Sequence, residues 1–239
     1  VLMKYENVVE GIFLSRPNRF VAEVDIEGKV HTVHVKNTGR CKELLIKGRK
    51  CYLSKSNNPN RKTQYDLISV VKKDGLKNKK TELLVNLDSQ GPNQVFYDYA
   101  MKGYFLKDII EIKREFTYEN SRFDCYIKTK DKEHLIEIKG VTLEEEGIAK
   151  FPDAPTERGV KHINELIKAK GEGYESHIVF IIQMKGTYGF MPNEKTHPEF
   201  KKVLEEGRSK GVKIHCLEAD ITPDTMKLNK NSKSIPLMF

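Results

Sequence analysis

The residues whose types and spacing could do chemistry together are Asp124, Glu137 and Lys139. They fall in one run, Ser121-Arg-Phe-Asp-Cys-Tyr-Ile-Lys followed by His134-Leu-Ile-Glu-Ile-Lys-Gly140. Both halves alternate as β-strands do, and Thr129-Lys130-Asp131-Lys132 separates them. A four-residue loop there sets Lys128 opposite Glu133 and Ile127 opposite His134, and by the same count Asp124 opposite Glu137. Side chains alternate across a strand, so Lys139 shares the face of Glu137, and the opposite face is apolar: Phe123, Cys125, Ile127, Ile136 and Ile138. Two carboxylates so placed suit a hard divalent cation. An ammonium beside them can position a water or balance charge on a phosphate. The same residues also fit the solvated face of a half-buried sheet, and a slip of one residue would reverse the faces.

Glu-x-Lys alone carries little information, because the chain holds four copies. Glu27-Gly-Lys29 sits at a turn and Glu199-Phe-Lys201 in a helical pattern. Glu111-Ile-Lys113 is a rival on a strand, but no Asp precedes it on a partner strand.

The elements that must position these residues divide the chain near Gly91-Pro92-Asn93. Before that point short strands are expected at 8–14, 19–26, 29–35, 49–54, 66–71 and 82–86, with a helical turn at 41–46. About five strands and one short helix fit a small Greek-key barrel of the OB type, and other small barrels fit as well. After it the pattern reads α-β-β-β-α-β-α-β. A helix opens at Asn93, and strands follow at 111–118, 122–128 and 134–141. A second helix is capped by Thr156 and runs to about Lys170, with Val160, Ile163, Leu166 and Ile167 as its buried face. The run 177–184 reads as a strand buried on both faces, 198–207 as a helix and 213–217 as a last strand. The tail 229–239 is expected to fray. The expected fold class is therefore α+β in two domains, residues 1–90 a barrel and residues 91–239 an α/β unit with a mixed central sheet flanked by helices.

The net charge of +8 lies entirely in the first part. Residues 1–90 carry 18 Lys and Arg against 10 Asp and Glu, and residues 91–239 balance at 24 against 24. A basic surface attracts polyanions, nucleic acid foremost. A Lys-rich solubility surface is the plainer reading, and it suits Lys72, Lys73, Lys77, Lys79 and Lys80. Arg16, Arg19, Arg40, Arg61 and Lys62 sit in turns or at strand ends, where a barrel could present them to phosphates. Phe20, Tyr52 and Tyr65 are candidate stacking platforms, although each also fits a core. Asn37-Thr38-Gly39-Arg40 reads as a tight turn whose amides could cradle a phosphate. The four cysteines form no CxxC pair, which argues against a structural zinc site and a disulfide framework. No apolar run approaches the roughly 20 residues of a membrane span. A cytoplasmic protein with no membrane partner is the expectation.

Beyond these patterns, the chain resembles the sugar fermentation stimulation protein A family. The matching stretches are Arg16-Pro-Asn-Arg-Phe20, Asn37-Thr-Gly-Arg40, Arg61-Lys-Thr63, Asn120-Ser-Arg-Phe-Asp124, Glu137-Ile-Lys-Gly-Val-Thr-Leu143 and Phe151-Pro-Asp-Ala-Pro-Thr-Glu-Arg-Gly159. The Asp … Glu-x-Lys hairpin flanked by helices is similar to the PD-(D/E)XK nucleases. The resemblance implies an OB-like domain, a nuclease-like domain and DNA as the partner. It implies that Asp124 and Glu137 ligate Mg²⁺ or Mn²⁺, that Lys139 is catalytic, and that Asp98 stands where the family's helical acid is found. Arg158 and His162 share a face of the second helix. With Lys161, they are placed to contact a phosphate, and His162 is not expected to act as a base. Glu144, Glu145 and Glu146 fit a solvated acidic loop better than a metal site. The leading expectation is a metal-dependent nuclease. The alternative is a non-cleaving DNA-binding regulator of sugar-utilisation genes, and a third is an oligosaccharide-binding barrel, which the absence of Trp does not favour.

Overall fold

A computed structural model of the chain describes residues 3–37, 39–75 and 81–239. Lys77, Lys79, Lys80 and Thr38 fall outside them. A short strand β1 (Met3–Lys4) precedes the barrel strands β2 (Val8–Ser15), β3 (Val21–Ile26), β4 (Lys29–Val35), β5 (Lys50–Lys55), β6 (Tyr65–Gly75) and β7 (Thr81–Asn86). Alternation in β3 buries Ala22, Val24 and Ile26. The strand starts at Val21 rather than Arg19 because Asn18 Oδ1 accepts the amides of Phe20 and Val21 and holds a turn. The sheet runs β4-β3-β2-β5-β6-β7 and closes through β4 and β6, giving the OB-type barrel. The turn at 41–46 is present, with Leu44 buried inside.

Closure is pinned by Asp66. It meets its β4 partner His34 at 2.8 Å and takes both Arg61 guanidinium nitrogens, at 2.7 and 2.9 Å. Against the upward pull of burial, these hydrogen bonds hold its carboxyl below the usual range. Arg61 is thus committed to the fold rather than free for a phosphate. We expect Arg61→Ala to cost about 1 kcal/mol, the pair being only partly buried. Lys62→Ala, at an exposed neighbour, should leave the urea midpoint unchanged. Equal midpoints for the two variants would refute the role given to Arg61.

The second unit begins with α1 (Gly91–Met101) and a hairpin pair of strands, β8 (Ile109–Tyr118) with β9 (Ser121–Thr129), then β10 (Glu133–Val141). A small sheet follows from β11 (Leu143–Glu145) and β12 (Ile148–Phe151), then α2 (Glu157–Gly171), β13 (Glu175–Ile182), β14 (Gly189–Pro192), α3 (Pro198–Ser209), β15 (Lys213–Glu218), β16 (Asp220–Thr222) and β17 (Thr225–Lys227). The central sheet is mixed, in the order β15-β13-β10-β9-β8, with β10, β13 and β15 parallel. Every residue of β13 is buried, as its apolar run requires. One apolar cluster, holding Val95, Phe96, Ile136 and Ile138, lies under α1; the other, holding Ile163, Leu166, Phe180 and Phe200, lies under α2 and α3 and runs on into the barrel. No helix among the described residues is long and apolar enough to cross a membrane.

Three expectations are corrected here. Glu144 is not part of a solvated loop: it is 1% exposed on β11, where Lys72 of the barrel donates to its carboxylate. The tail does not fray, since Leu217 bridges Ser234, Phe190 bridges Leu237, and Ile235 is buried. The boundary at residue 90 is not clean, because β1 pairs with β17 of the second unit.

A column of imidazoles crosses the parallel strands near their starts. His134 Nδ1 meets His177 Nε2, and His177 Nδ1 meets His215 Nε2, each at 3.0 Å. Phe105 packs edge-on against His177 and His215.

Candidate active site

The hairpin register is the one the loop count required: Lys128 faces Glu133, Ile127 faces His134, and the pairing ends at Cys125 with Ile136. Beyond it the strands part, β9 continuing against β8 and β10 against β13. Asp124 and Glu137 are the first residues past the fork. Asp124 spans it, with Oδ2 accepting the Ile138 amide at 2.8 Å and Oδ1 accepting Asn93 Nδ2 of α1 at 2.8 Å. Gly140 allows α1 to come this close, since a Cβ there would lie 2.8 Å from Pro92 Cγ and 2.3 Å from Gln183 Oε1.

Strict alternation fails at Asp124. Cys125, Ile127, Ile136 and Ile138 pack together under α1 as expected, but Phe123 joins the opposite cluster with Tyr126 and Leu135. At the same level of β8, Arg114 pairs with Cys125 and Phe116 with Phe123. Glu115 between them has φ 54°, a kink that turns the edge strand. The rival Glu111 and Lys113 lie on this edge strand, more than 40% exposed and paired with each other, as a solvated face should be.

On the other side of the fork Glu137 is 2% exposed. Its Oε1 accepts Lys139 Nζ at 2.6 Å and also His162 Nδ1 from α2. Arg158 Nε donates to His162 Nε2 at 3.4 Å. A carboxylate only accepts, so His162 presents an Nδ1 hydrogen to Glu137. The sequence expectation sets His162 beside Arg158, facing a phosphate. It is instead buried with Gly159, Ile163, Leu166 and Ala169, while Val160 and Ile167 are only half-buried. A His four residues after an Arg on an otherwise amphipathic helix was the available signal; the carboxylate beneath it was not legible.

The electrostatics favour a cation. Burial first, and the charge of Glu137 second, push the Asp124 carboxyl up to about 6. Glu137 stays below the usual range despite burial, because His162 and Lys139 hold it. Glu137 Oε2 is buried with no hydrogen-bond partner. An orphaned carboxylate oxygen beside a second acid fits a divalent ion that keeps waters and substrate oxygens as further ligands. No group of three or more His, Cys, Asp or Glu is arranged for a metal among the described residues, so a closed protein cage is not what this site offers. Among the described residues Asp98 forms no metal-holding group with the pair. It lies five residues past Asn93 on α1, about 140° round and about 7.5 Å along the axis. Gln94 Nε2 donates to it at 3.1 Å.

Of the basic candidates, Arg16 is withdrawn from phosphate binding. Its Nη1 donates to the carbonyls of Gly39 and Arg40, and its Nη2 to those of Arg19 and Asn37, at 2.7–2.8 Å. The 37–40 turn accordingly points carbonyls at a cation, and the Gly39 amide is taken by Asn37 Oδ1. A Cβ on Gly39 would sit 2.7 Å from Asp153 Oδ2, so this barrel loop abuts the segment that leads into α2. Arg40, Lys62, Arg158 and Lys161 are exposed, Lys161 lying 3.6 Å from Glu165. Arg19 lies over the Phe20 ring at 4.7 Å, and that ring is 49% exposed. Tyr65 packs against the core and His31 instead. Tyr52 is half-buried.

Residues 90–225 match the family described as "Sugar fermentation stimulation protein RE domain", and residues 14–77 match "SfsA N-terminal OB domain". Sugar fermentation stimulation protein homologs from Desulfitobacterium hafniense and Clostridium beijerinckii are 52% and 49% identical to this chain. They align over 94% and 95% of it and 95% and 96% of themselves. The solved structure of Pyrococcus furiosus SfsA in complex with Ca²⁺ is 29% identical, with a TM-score of 0.84. It matches 99% of this chain and 98% of its own.

Proposed function

The chain belongs to the sugar fermentation stimulation protein family, and from that premise we propose that it is a divalent-metal-dependent nuclease that hydrolyses phosphodiester bonds, with DNA as its substrate. The observation that carries this reading is the buried, partnerless Glu137 Oε2 at a fork shared with Asp124 and Lys139. The Ca²⁺ named with the Pyrococcus relative supports it. Asp124 and Glu137 would hold Mg²⁺ or Mn²⁺. When bound, such an ion polarises a phosphate oxygen and lowers the pKa of an attacking water. Lys139 stands on Glu137 at 2.6 Å, where its ammonium can hold that water or offset charge that builds on the phosphate. Arg158 and Lys161 on α2, and Arg19, Phe20, Arg40 and Lys62 on the barrel, supply the surface for the strand.

The test is incubation with single- and double-stranded DNA and RNA, with Mg²⁺, Mn²⁺ or EDTA. We expect cleavage that needs the ion and is lost in Lys139→Ala. Cleavage in EDTA, or undiminished in that variant, would falsify the assignment. Salt-sensitive, metal-independent binding without any cleavage would instead favour the regulator.

A further inference from the structure

The fork opens on its α1 side into a cleft of about 520 Å³, lined by Asn93, Gln94, Tyr97, Arg114, Asp124 and Ile138 among others. Arg114 is the unusual member. It sits on β8 directly across from Cys125, one residue from Asp124, at the kink made by Glu115. Its guanidinium lies 4.0 Å above the Tyr97 ring, and its Nη1 donates to Gln94 Oε1 at 3.0 Å. Gln94 is itself oriented, because its Nε2 donates to Asp98 one turn further on. Tyr97 and Gln94 therefore hold one exposed Arg at the cleft that Asp124 lines, with Asp98 behind Gln94. Among the described ion pairs none neutralises it; the adjacent Glu115 pairs with Arg122. A long side chain normally loses rotamer freedom on binding, and these two contacts already restrain this one. A planar fork of donors held this way matches the two free oxygens of a phosphodiester, which an ammonium would not.

We propose that Arg114, laid on Tyr97 and aligned by Gln94 and Asp98, clamps the phosphate next to the one that is cut. The clamp rests on the nuclease reading for its substrate and gives Asp98 a positioning role. Its test uses an oligonucleotide in which that neighbouring phosphate is replaced by a neutral methylphosphonate. Wild type is expected to cut the modified strand with a KM raised about 10-fold or more. Arg114→Ala should show a similar rise on the normal strand, with kcat within a few-fold, and no further rise on the modified one. Arg114→Lys should recover little of the loss, and Arg122→Ala should behave as wild type. If wild type cleaves and Arg114→Ala keeps both a normal KM and the methylphosphonate penalty, the clamp is overturned while the nuclease reading stands. If wild type cleaves no nucleic acid, the nuclease reading falls. Fluorescence anisotropy of wild type and Arg114→Ala on the unmodified strand then decides the clamp as a phosphate contact, and equal affinities of the two proteins overturn it.

Discussion

Glu137→Gln is expected to lower phosphodiester cleavage by about 100-fold or more, while the protein stays folded. The amide has the size of the acid and can still accept from Lys139 and His162. It removes the charge that those two donors converge on, and with it the partnerless oxygen that suits a cation. A second readout needs no activity. Burial and then the Glu137 charge hold the Asp124 carboxyl near 6, so this substitution should bring its NMR titration down toward the ordinary carboxylate range. An unmoved Asp124 would show that the two acids do not share the fork. His162→Phe should act more mildly, lowering Mn²⁺ affinity about 10- to 100-fold in calorimetry, because it unties the carboxylate without deleting it. His162→Asn, which still offers an N–H in place of Nδ1–H, should recover most of that loss. Equal Mn²⁺ affinity in wild type and His162→Phe would remove His162 from the site.

Acid is expected to weaken the fold through the imidazole column well before its paired carboxylates titrate. Burial first, then its two imidazole neighbours, push His177 down to about 2. Burial, then Lys213, push His215 down to about 4, and burial lowers His134. Lys132, Lys170 and Lys213 surround the neighbouring Glu175 and add positive potential at this end of the sheet. A His with a depressed folded pKa contributes stability above its unfolded value, about 6.5, and loses it as pH falls toward the folded one. By about pH 4.5 the unfolded chain has taken protons that the column refuses, a cost of about 3 kcal/mol at His177 alone. Asp124 works the other way in the same window, since its raised pKa lets the folded state take a proton first. The column is therefore isolated by difference. Between about pH 7 and about pH 4.5, the urea midpoint of His177→Leu should fall less than that of wild type, even if it starts lower. Parallel falls would sink the idea.

Much of this is legible in the sequence. The loop of four residues between Lys128 and Glu133 set the register, and that register brought Asp124 to Glu137. What hid the rest was distance along the chain. Glu115 sits nine residues before Asp124, yet its left-handed backbone lies on the neighbouring strand where Phe123 leaves the expected face. Arg16 and Arg61 looked like surface cations because their charge is visible in the sequence and their acceptors are not. The tail looked polar at Asn229–Ser232, while its anchor, Ile235, is a single residue.

The sequence by itself determined the barrel and α/β division, the strands of the barrel and of the central sheet, the three helices, and the three residues at the fork, but not the six short strands β1, β11, β12, β14, β16 and β17. Those rest on short-range rules: alternation, capping, loop length and local composition. Only the tertiary structure decided that His162 turns inward to Glu137, that Asn93 rather than Asp98 reaches Asp124, and that Arg114 lies on Tyr97 over the cleft. Each of these joins elements far apart in sequence, and a buried charge settles its geometry by the partners that folding brings to it.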